Sequence, residues 1–109
     1  MNDRHFANYY IAGFTYYDGV DVFEDLKIGA QLVFKREPEN AYDPNAVAIY
    51  YGEHKLGFVP RDENETLKKF LDLGYSDLFE VKISQVSPDA NPEKQVRVVV
   101  RICERKKEK

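Results

Sequence analysis

R-E-P-E-N-A-Y-D-P-N-A-V-A-I-Y-Y-G-E-H-K-L-G-F-V-P-R, Arg36 to Arg61, holds a rigid loop and a hairpin in one run. Glu37 to Asn45 is a loop by every local rule. It has two Pro, two Asn and an Asp-Pro step, residues that fix φ or bond their own backbone. Ala46 to Tyr51 (A-V-A-I-Y-Y) is β-branched and aromatic, as a strand requires. Gly52-Glu53 makes a tight turn, and His54 to Val59 returns as a second strand. Pro60, with no N–H to donate, stops it.

Working upstream from this hairpin, Ala30 to Arg36 reads as a strand with Leu32 and Phe34 alternating against Val33 and Lys35. Phe6 to Phe14 (F-A-N-Y-Y-I-A-G-F) reads as another, with Gly13 marking a bend or bulge. Tyr16-Tyr17-Asp18-Gly19 gives two aromatics and a turn signal, and Asp21 to Leu26 a second, short helical turn with Asp21 as cap. Downstream, Asp62 stands as N-cap of a helix over Glu65 to Leu73, with Glu65 in the capping-box position. Leu67, Phe70 and Leu71 form its apolar face, Leu73 is a further candidate, and Gly74 ends it. Leu78 to Val86 and Val96 to Ile102 are two more strands, with Val81, Ile83 and Val86 set against Val96, Val98, Val100 and Ile102. Six strands and one clear helix describe a small, mainly β fold. A closed or nearly closed six-stranded β-barrel hides the edges of such a sheet.

The chain is 109 residues, enough for one core: a single domain over residues 1–104, with a basic, frayed tail at 105–109. Apolar residues make 43% and charged residues 32%, which excludes a disordered chain. One Cys excludes a disulfide framework within the chain and, with His5 and His54 far apart, gives no zinc pattern. No apolar run approaches 18 residues, so no membrane span is expected, and the lone thiol suits a reduced, cytoplasmic setting. Net charge is -3, and it is uneven. Residues 1–60 carry five Lys and Arg against nine Asp and Glu, and residues 61–109 eleven against ten. A long electrostatic track for duplex DNA is therefore not available, and any nucleic-acid contact must be short and local.

With Y-Y-I-A-G-F-T-Y-Y-D-G before it and K-L-G-F-V-P-R after it, the Arg36–Ala46 motif resembles the HIRAN domain family. That family's pattern reads roughly R-E-P-x-N-x-Y-D-x-N-A-[IV], then x-[LIV]-G-[YFH]-[LIV]-P-[RK]. The match runs from about Tyr9 to Gly74. The resemblance implies an OB-like barrel that recognises single-stranded DNA and its free 3′ end, acting beside a DNA-processing protein such as a helicase or nuclease. It assigns stacking to Tyr16 and Tyr42, the terminal 3′-hydroxyl to Asp43, and phosphate contacts to Arg61 and Arg36. Thr15 and Phe58 stand where some DNA-binding members carry a basic residue and a histidine; each loses a phosphate contact, and Phe58 adds a stacking surface.

The residues themselves leave plainer alternatives. Tyr42-Asp43-Pro44-Asn45 is a turn in which Asp43 bonds its own backbone, and turn chemistry alone favours that role. Tyr16 and Tyr17 cannot both face outward if the segment is extended, which puts Tyr17 in the core or at its rim. Arg36 has Glu37 as a candidate partner, and Arg61 has Asp62 or Glu65. Lys55 and Lys68 are weaker phosphate candidates. Asn45 reads as a structural amide and Cys103 as a small core residue. Catalysis has little support: Asp18, Glu37 and Asp43 are the loop acids available to a metal, and nothing in their spacing demands one. The expectation is a non-enzymatic module without metal or cofactor. A protein–protein interaction module on the same fold, presenting the acidic first half, is the alternative.

Overall fold

The structure is a computed structural model and describes residues 4–103; the tail at 105–109 lies outside the described residues. Six strands form one antiparallel sheet: β1 (Arg4–Tyr10), β2 (Gln31–Arg36), β3 (Val47–Tyr51), β4 (His54–Phe58), β5 (Phe79–Val86) and β6 (Val96–Ile102), in the order β1-β6-β5-β2-β3-β4. The β3–β4 hairpin turns at Gly52, whose φ of 60° suits a glycine. β5 and β6 pair as their alternation demands, with Val81 opposite Val100 and Ile83 opposite Val98. The same set of apolar side chains faces the core from both strands.

The sheet has two halves. β1, β6 and β5 make one, and β2, β3 and β4 the other. They join through Gln31 opposite Lys82 and Leu32 opposite Val81, continued by the Gly29–Ile83 and Ile83–Ala30 backbone bonds at 2.8 and 3.0 Å. The outer edges, β1 and β4, come back together at a single bridge. The Ala12 N–H donates to the Phe58 carbonyl at 2.8 Å, and the Phe58 N–H to the Ala12 carbonyl at 2.9 Å. The mainly β, six-stranded expectation holds, and the sheet stays short of a closed ladder. Gly57 permits this approach. Its φ is 150°, and a Cβ there would run into the Ala12 carbonyl and come within 2.6 Å of Ile11 Cγ2.

The core lies inside this curled sheet. Ile11, Phe14, Leu32, Ile49, Leu56, Leu67, Ile83 and Val98 are buried in one cluster. Each such side chain contributes about 1.5–3 kcal/mol on burial. β3 is buried on both faces from Val47 to Ile49, which is why it reads as a continuous apolar run. Tyr9 is buried while Tyr10 is half-buried, as their adjacency on a strand requires; Tyr50 and Tyr51 are both half-buried. Burial, with the charge of Glu63 adding to it, pushes the Tyr9 phenol up to about 12.

Three elements differ from the sequence reading: the first strand, the Asp21–Leu26 turn and the start of the helix. The first strand stops at Tyr10. Gly13, at φ 71°, turns the chain into a 3-10 turn over Phe14–Tyr16 that buries Phe14. The helical turn expected at Asp21–Leu26 is a 3-10 turn over Phe23–Asp25 with Val22 before it. Val22 holds the cap position with no side-chain cap bond, and the Phe23 and Asp25 N–H groups go to the Val20 and Val22 carbonyls, so Asp21 does not cap it. Asp62 does not cap the helix either. The Pro60 carbonyl accepts the Glu63 N–H at 2.9 Å and winds Arg61–Glu63 into a 3-10 turn; helix α1 runs Glu65–Asp72 with Asn64 at its N-cap. Leu67 is the buried residue of α1, Leu71 packs partly against the core, Phe70 is exposed and meets the Tyr75 and Phe79 rings edge-on, and Leu73 lies exposed past the last turn. No helix among the described residues is long and apolar enough to cross a membrane.

Candidate functional site

The loop between β2 and β3 is built from its own polar side chains. Asn40 is its centre: Oδ1 accepts the Tyr42 and Asp43 N–H groups at 2.8 and 3.0 Å, and Nδ2 donates to Glu37 Oε1 at 3.1 Å. Asp43 Oδ1 then accepts the Asn45 N–H at 2.9 Å, which is an Asx turn. Asp43 Oδ2 accepts Asn64 Nδ2 at 2.9 Å, tying the loop to the start of α1. Asn64 is the buried polar residue among those described, and this bond gives its amide nitrogen a partner. Arg61 completes the arrangement, donating from Nη2 to the Tyr42 carbonyl at 2.8 Å with Nε 4.0 Å from Asp43 Oδ2. With its backbone held at both N–H and C=O, Tyr42 presents its ring to solvent, 86% exposed.

Across from this loop stand Tyr17 and Phe58, edge to face, with centroids 5.6 Å apart. Between the loop and these rings lies a cavity of about 230 Å³. Tyr17, Phe58 and Tyr42 supply its rings, Asn40, Asp43 and Arg61 its polar groups, and Ala12, Ala46 and Val59 the rest of its lining. The Asp43 side chain is 17% exposed and the Arg61 side chain 75%. A carboxylate has about four lone-pair sites, so two amide bonds leave Asp43 acceptor capacity beside the cavity it lines. The turn role and the site position therefore coexist in one residue.

Of the residues singled out from sequence, Tyr42, Asp43, Arg61 and Phe58 come together at this cavity. Tyr16, 83% exposed, and Thr15 stand on the neighbouring 3-10 turn and do not line it; Tyr17 does. Arg36 is directed elsewhere. Its Nε lies 2.8 Å from Asp72 Oδ1 and its Nη1 donates to the Ala46 carbonyl at 2.8 Å, joining β2 to α1 and to the loop's exit. The hydrogen bond from Arg36 holds the Asp72 carboxyl below the usual range. Lys68 lies 3.5 Å from the same carboxylate.

Tyr17 and Asn40 are the site residues that pattern reasoning passed over. Gly13 gave the signal for Tyr17: a turn there removes the strand alternation that had assigned Tyr16 outward. Asn40 carried its signal in the N-x-x-D spacing of the loop. Lys55 also belongs nearby, with Nζ 4.6 Å from the Tyr17 centroid, 4.4 Å from that of Phe58 and 2.7 Å from Glu37 Oε2. The three loop acids are separately engaged: Asp18 faces His54 at 3.6 Å, Glu37 takes Lys55, and Asp43 takes the amides. Among the described residues no three of His, Cys, Asp or Glu are placed to share a metal ion. Cys103 is half-buried past the end of β6, its N–H bonded to the Leu78 carbonyl at 2.7 Å.

The family model of the HIRAN domain matches residues 5–103, which includes every residue of this cavity. The chain belongs to the HIRAN family. It is similar to two plant proteins, each a Fanconi-associated nuclease 1 homolog. It is 32% identical over 77 residues to the one from Arabidopsis thaliana and 36% over 55 residues to the one from Oryza sativa subsp. japonica. These matches cover 70% and 47% of this chain but only 8% and 6% of the two relatives' length. Among solved structures, a Lactobacillus plantarum protein superposes with a TM-score of 0.77 at 20% identity, covering 92% of this chain and 94% of that one. The HIRAN domain of human HLTF superposes with a TM-score of 0.70 at 18% identity, covering 92% and 78%. At such identities the two structures speak for the HIRAN fold.

Proposed function

We propose that this HIRAN domain binds single-stranded DNA and receives a free 3′-hydroxyl end between the Tyr42 loop and the Tyr17–Phe58 wall. The carrying observation is the gathering of three aromatic rings, one carboxylate and one exposed guanidinium around a single cavity. Stacking on a ring is worth about 1–3 kcal/mol per base, so a few rings hold a short end without a basic channel. Arg61 offsets phosphate charge. Asp43 accepts a hydrogen bond from a terminal hydroxyl and repels a terminal phosphate, which makes it the selecting group. In this reading the domain acts as a non-enzymatic module that brings DNA ends to a helicase or nuclease. The names of its relatives, a nuclease homolog among them, support that setting.

Fluorescence anisotropy with short oligothymidines tests the reading. The 3′-hydroxyl form binds about tenfold or more tightly than the 3′-phosphate form, a difference of about 1.4 kcal/mol. Asp43→Asn keeps an oxygen for the Asn45 N–H and puts an NH2 where Oδ2 accepted Asn64 Nδ2, which a flip of the Asn64 amide can meet; it loses the charge and removes most of that preference. Equal affinity of the native protein for the two ends sinks the proposal. The acidic balance of residues 1–60 favours one competing reading, a protein-docking module; absence of oligonucleotide binding at low salt would decide for it.

A further inference from the structure

Lys55 is placed unlike the other cations of the domain. Its ammonium sits in the notch between two rings of the cavity wall, 4.6 Å from the Tyr17 centroid and 4.4 Å from the Phe58 centroid. The same nitrogen is 2.7 Å from Glu37 Oε2, and both side chains are mostly buried. Glu37 Oε1 in turn accepts Asn40 Nδ2 at 3.1 Å, and Asn40 Oδ1 holds the Tyr42 and Asp43 N–H groups at 2.8 and 3.0 Å. One unbroken chain of contacts thus runs from the aromatic wall to the loop that faces it. Partial burial alone would raise the Glu37 carboxyl, but the Lys55 and Asn40 hydrogen bonds and the Lys55 charge hold it below its usual value. The ion pair is therefore intact at neutral pH.

We infer that Lys55 is a positioning residue: through Glu37 and Asn40 it locks the Tyr42–Asp43 loop at a set distance from the Tyr17–Phe58 wall, and ligand affinity depends on that lock. The inference rests on the single-strand reading for its ligand and on the contact chain alone for its geometry. A site whose two walls are fixed before binding loses less freedom when it is filled, and that is the physical gain. The competing role for Lys55 is direct contact with a DNA phosphate. The two roles differ in sign at Glu37. If Lys55 touches phosphate, removing the Glu37 charge frees the ammonium and tightens binding. If Lys55 positions the loop, removing that charge weakens binding.

Two variants and two readouts separate them. Lys55→Met keeps the aliphatic stem against the rings, and Glu37→Gln keeps an acceptor for Asn40. Anisotropy with a 3′-hydroxyl oligothymidine is expected to show about tenfold weaker binding for each. The double variant falls no further than either alone, the mark of two residues acting through one contact. The slope of log affinity against log salt stays unchanged in Lys55→Met; loss of one phosphate contact would lower it by about 0.7. Without ligand, NMR exchange of the Tyr42 and Asp43 amide protons is expected to speed up in both variants while the thermal midpoint moves little. Tighter or equal binding by Glu37→Gln, a shallower salt slope in Lys55→Met, or native amide exchange in both variants would overturn the inference. Should the native protein bind no oligonucleotide, the single-strand reading fails, and the amide exchange alone decides the lock.

Discussion

At the 3-10 turn Phe14–Tyr16, two neighbouring tyrosines meet different fates. Tyr17 packs edge-on to Phe58 and lines the cavity, whereas Tyr16 stands in solvent beside it. Strand alternation had assigned Tyr16 outward and Tyr17 to core or rim. The rim position of Tyr17, 39% exposed, agrees with that, but the rim is the cavity's own wall. The expected consequence is testable by anisotropy with a single-stranded oligonucleotide. Tyr17→Ala removes the wall and costs about 1–3 kcal/mol of binding, and a larger loss in Tyr16→Ala than in Tyr17→Ala would contradict the geometry. Asp43 shows the other limit of local reading. Its Asx turn was legible in Y-D-P-N, because that chemistry is closed within three residues. Its bond from Asn64 was not, because the partner lies 21 positions away and sits where the helix start was misplaced.

Among the elements, legibility followed periodicity. β5 and β6 bury alternate residues at Val81, Ile83, Val96, Val98 and Val100, with one register shift between Ile83 and Gln85, so their extents could be read almost to the residue. The end of the first strand could not, because after Tyr10 the Ile11 N–H still bonds the Val96 carbonyl while Ala12 already bridges to Phe58 on the opposite edge, a switch of partners that leaves no repeating pattern. The start of α1 was misread for a related reason: the Pro60 carbonyl winds a 3-10 turn ahead of it, and Asp62 falls inside that turn. The bridge matters for the site, since Ala12 and Phe58 both line the cavity. Gly57→Ala tests its weight. A Cβ there meets the Ala12 carbonyl, and φ of 150° is strained for any L side chain. Denaturant unfolding is expected to show a loss of about 2–3 kcal/mol, with oligonucleotide binding weakened as well. A loss under about 0.5 kcal/mol would mean that β1 and β4 are held together elsewhere.

For the whole molecule, the charge distribution decides how DNA can be held. A net charge of -3 gives no general attraction for a polyanion, so binding depends on which cations remain available. Several are already paired: Arg36 with Asp72, Lys55 with Glu37, Lys69 with Glu65 and Lys82 with Glu80. Arg61 stands at the cavity with most of its side chain in solvent, its nearest acid 4.0 Å away. If the pocket receives a DNA end as proposed, it neutralises one or two phosphates, not a run of them. Single-stranded DNA releases about 0.7 of a counterion per phosphate contact, so log affinity against log salt is expected to slope at about -0.7 to -1.4. Titrations between about 50 and 200 mM salt measure it directly. A slope steeper than about -3 would require four or more phosphate contacts, a track that this charge distribution does not supply. Lengthening the oligonucleotide at its 5′ side supplies the companion measurement. Affinity levels off after a few nucleotides if the rings and Arg61 bear the load, whereas a continued rise with length would place the binding surface along the sheet and away from the pocket.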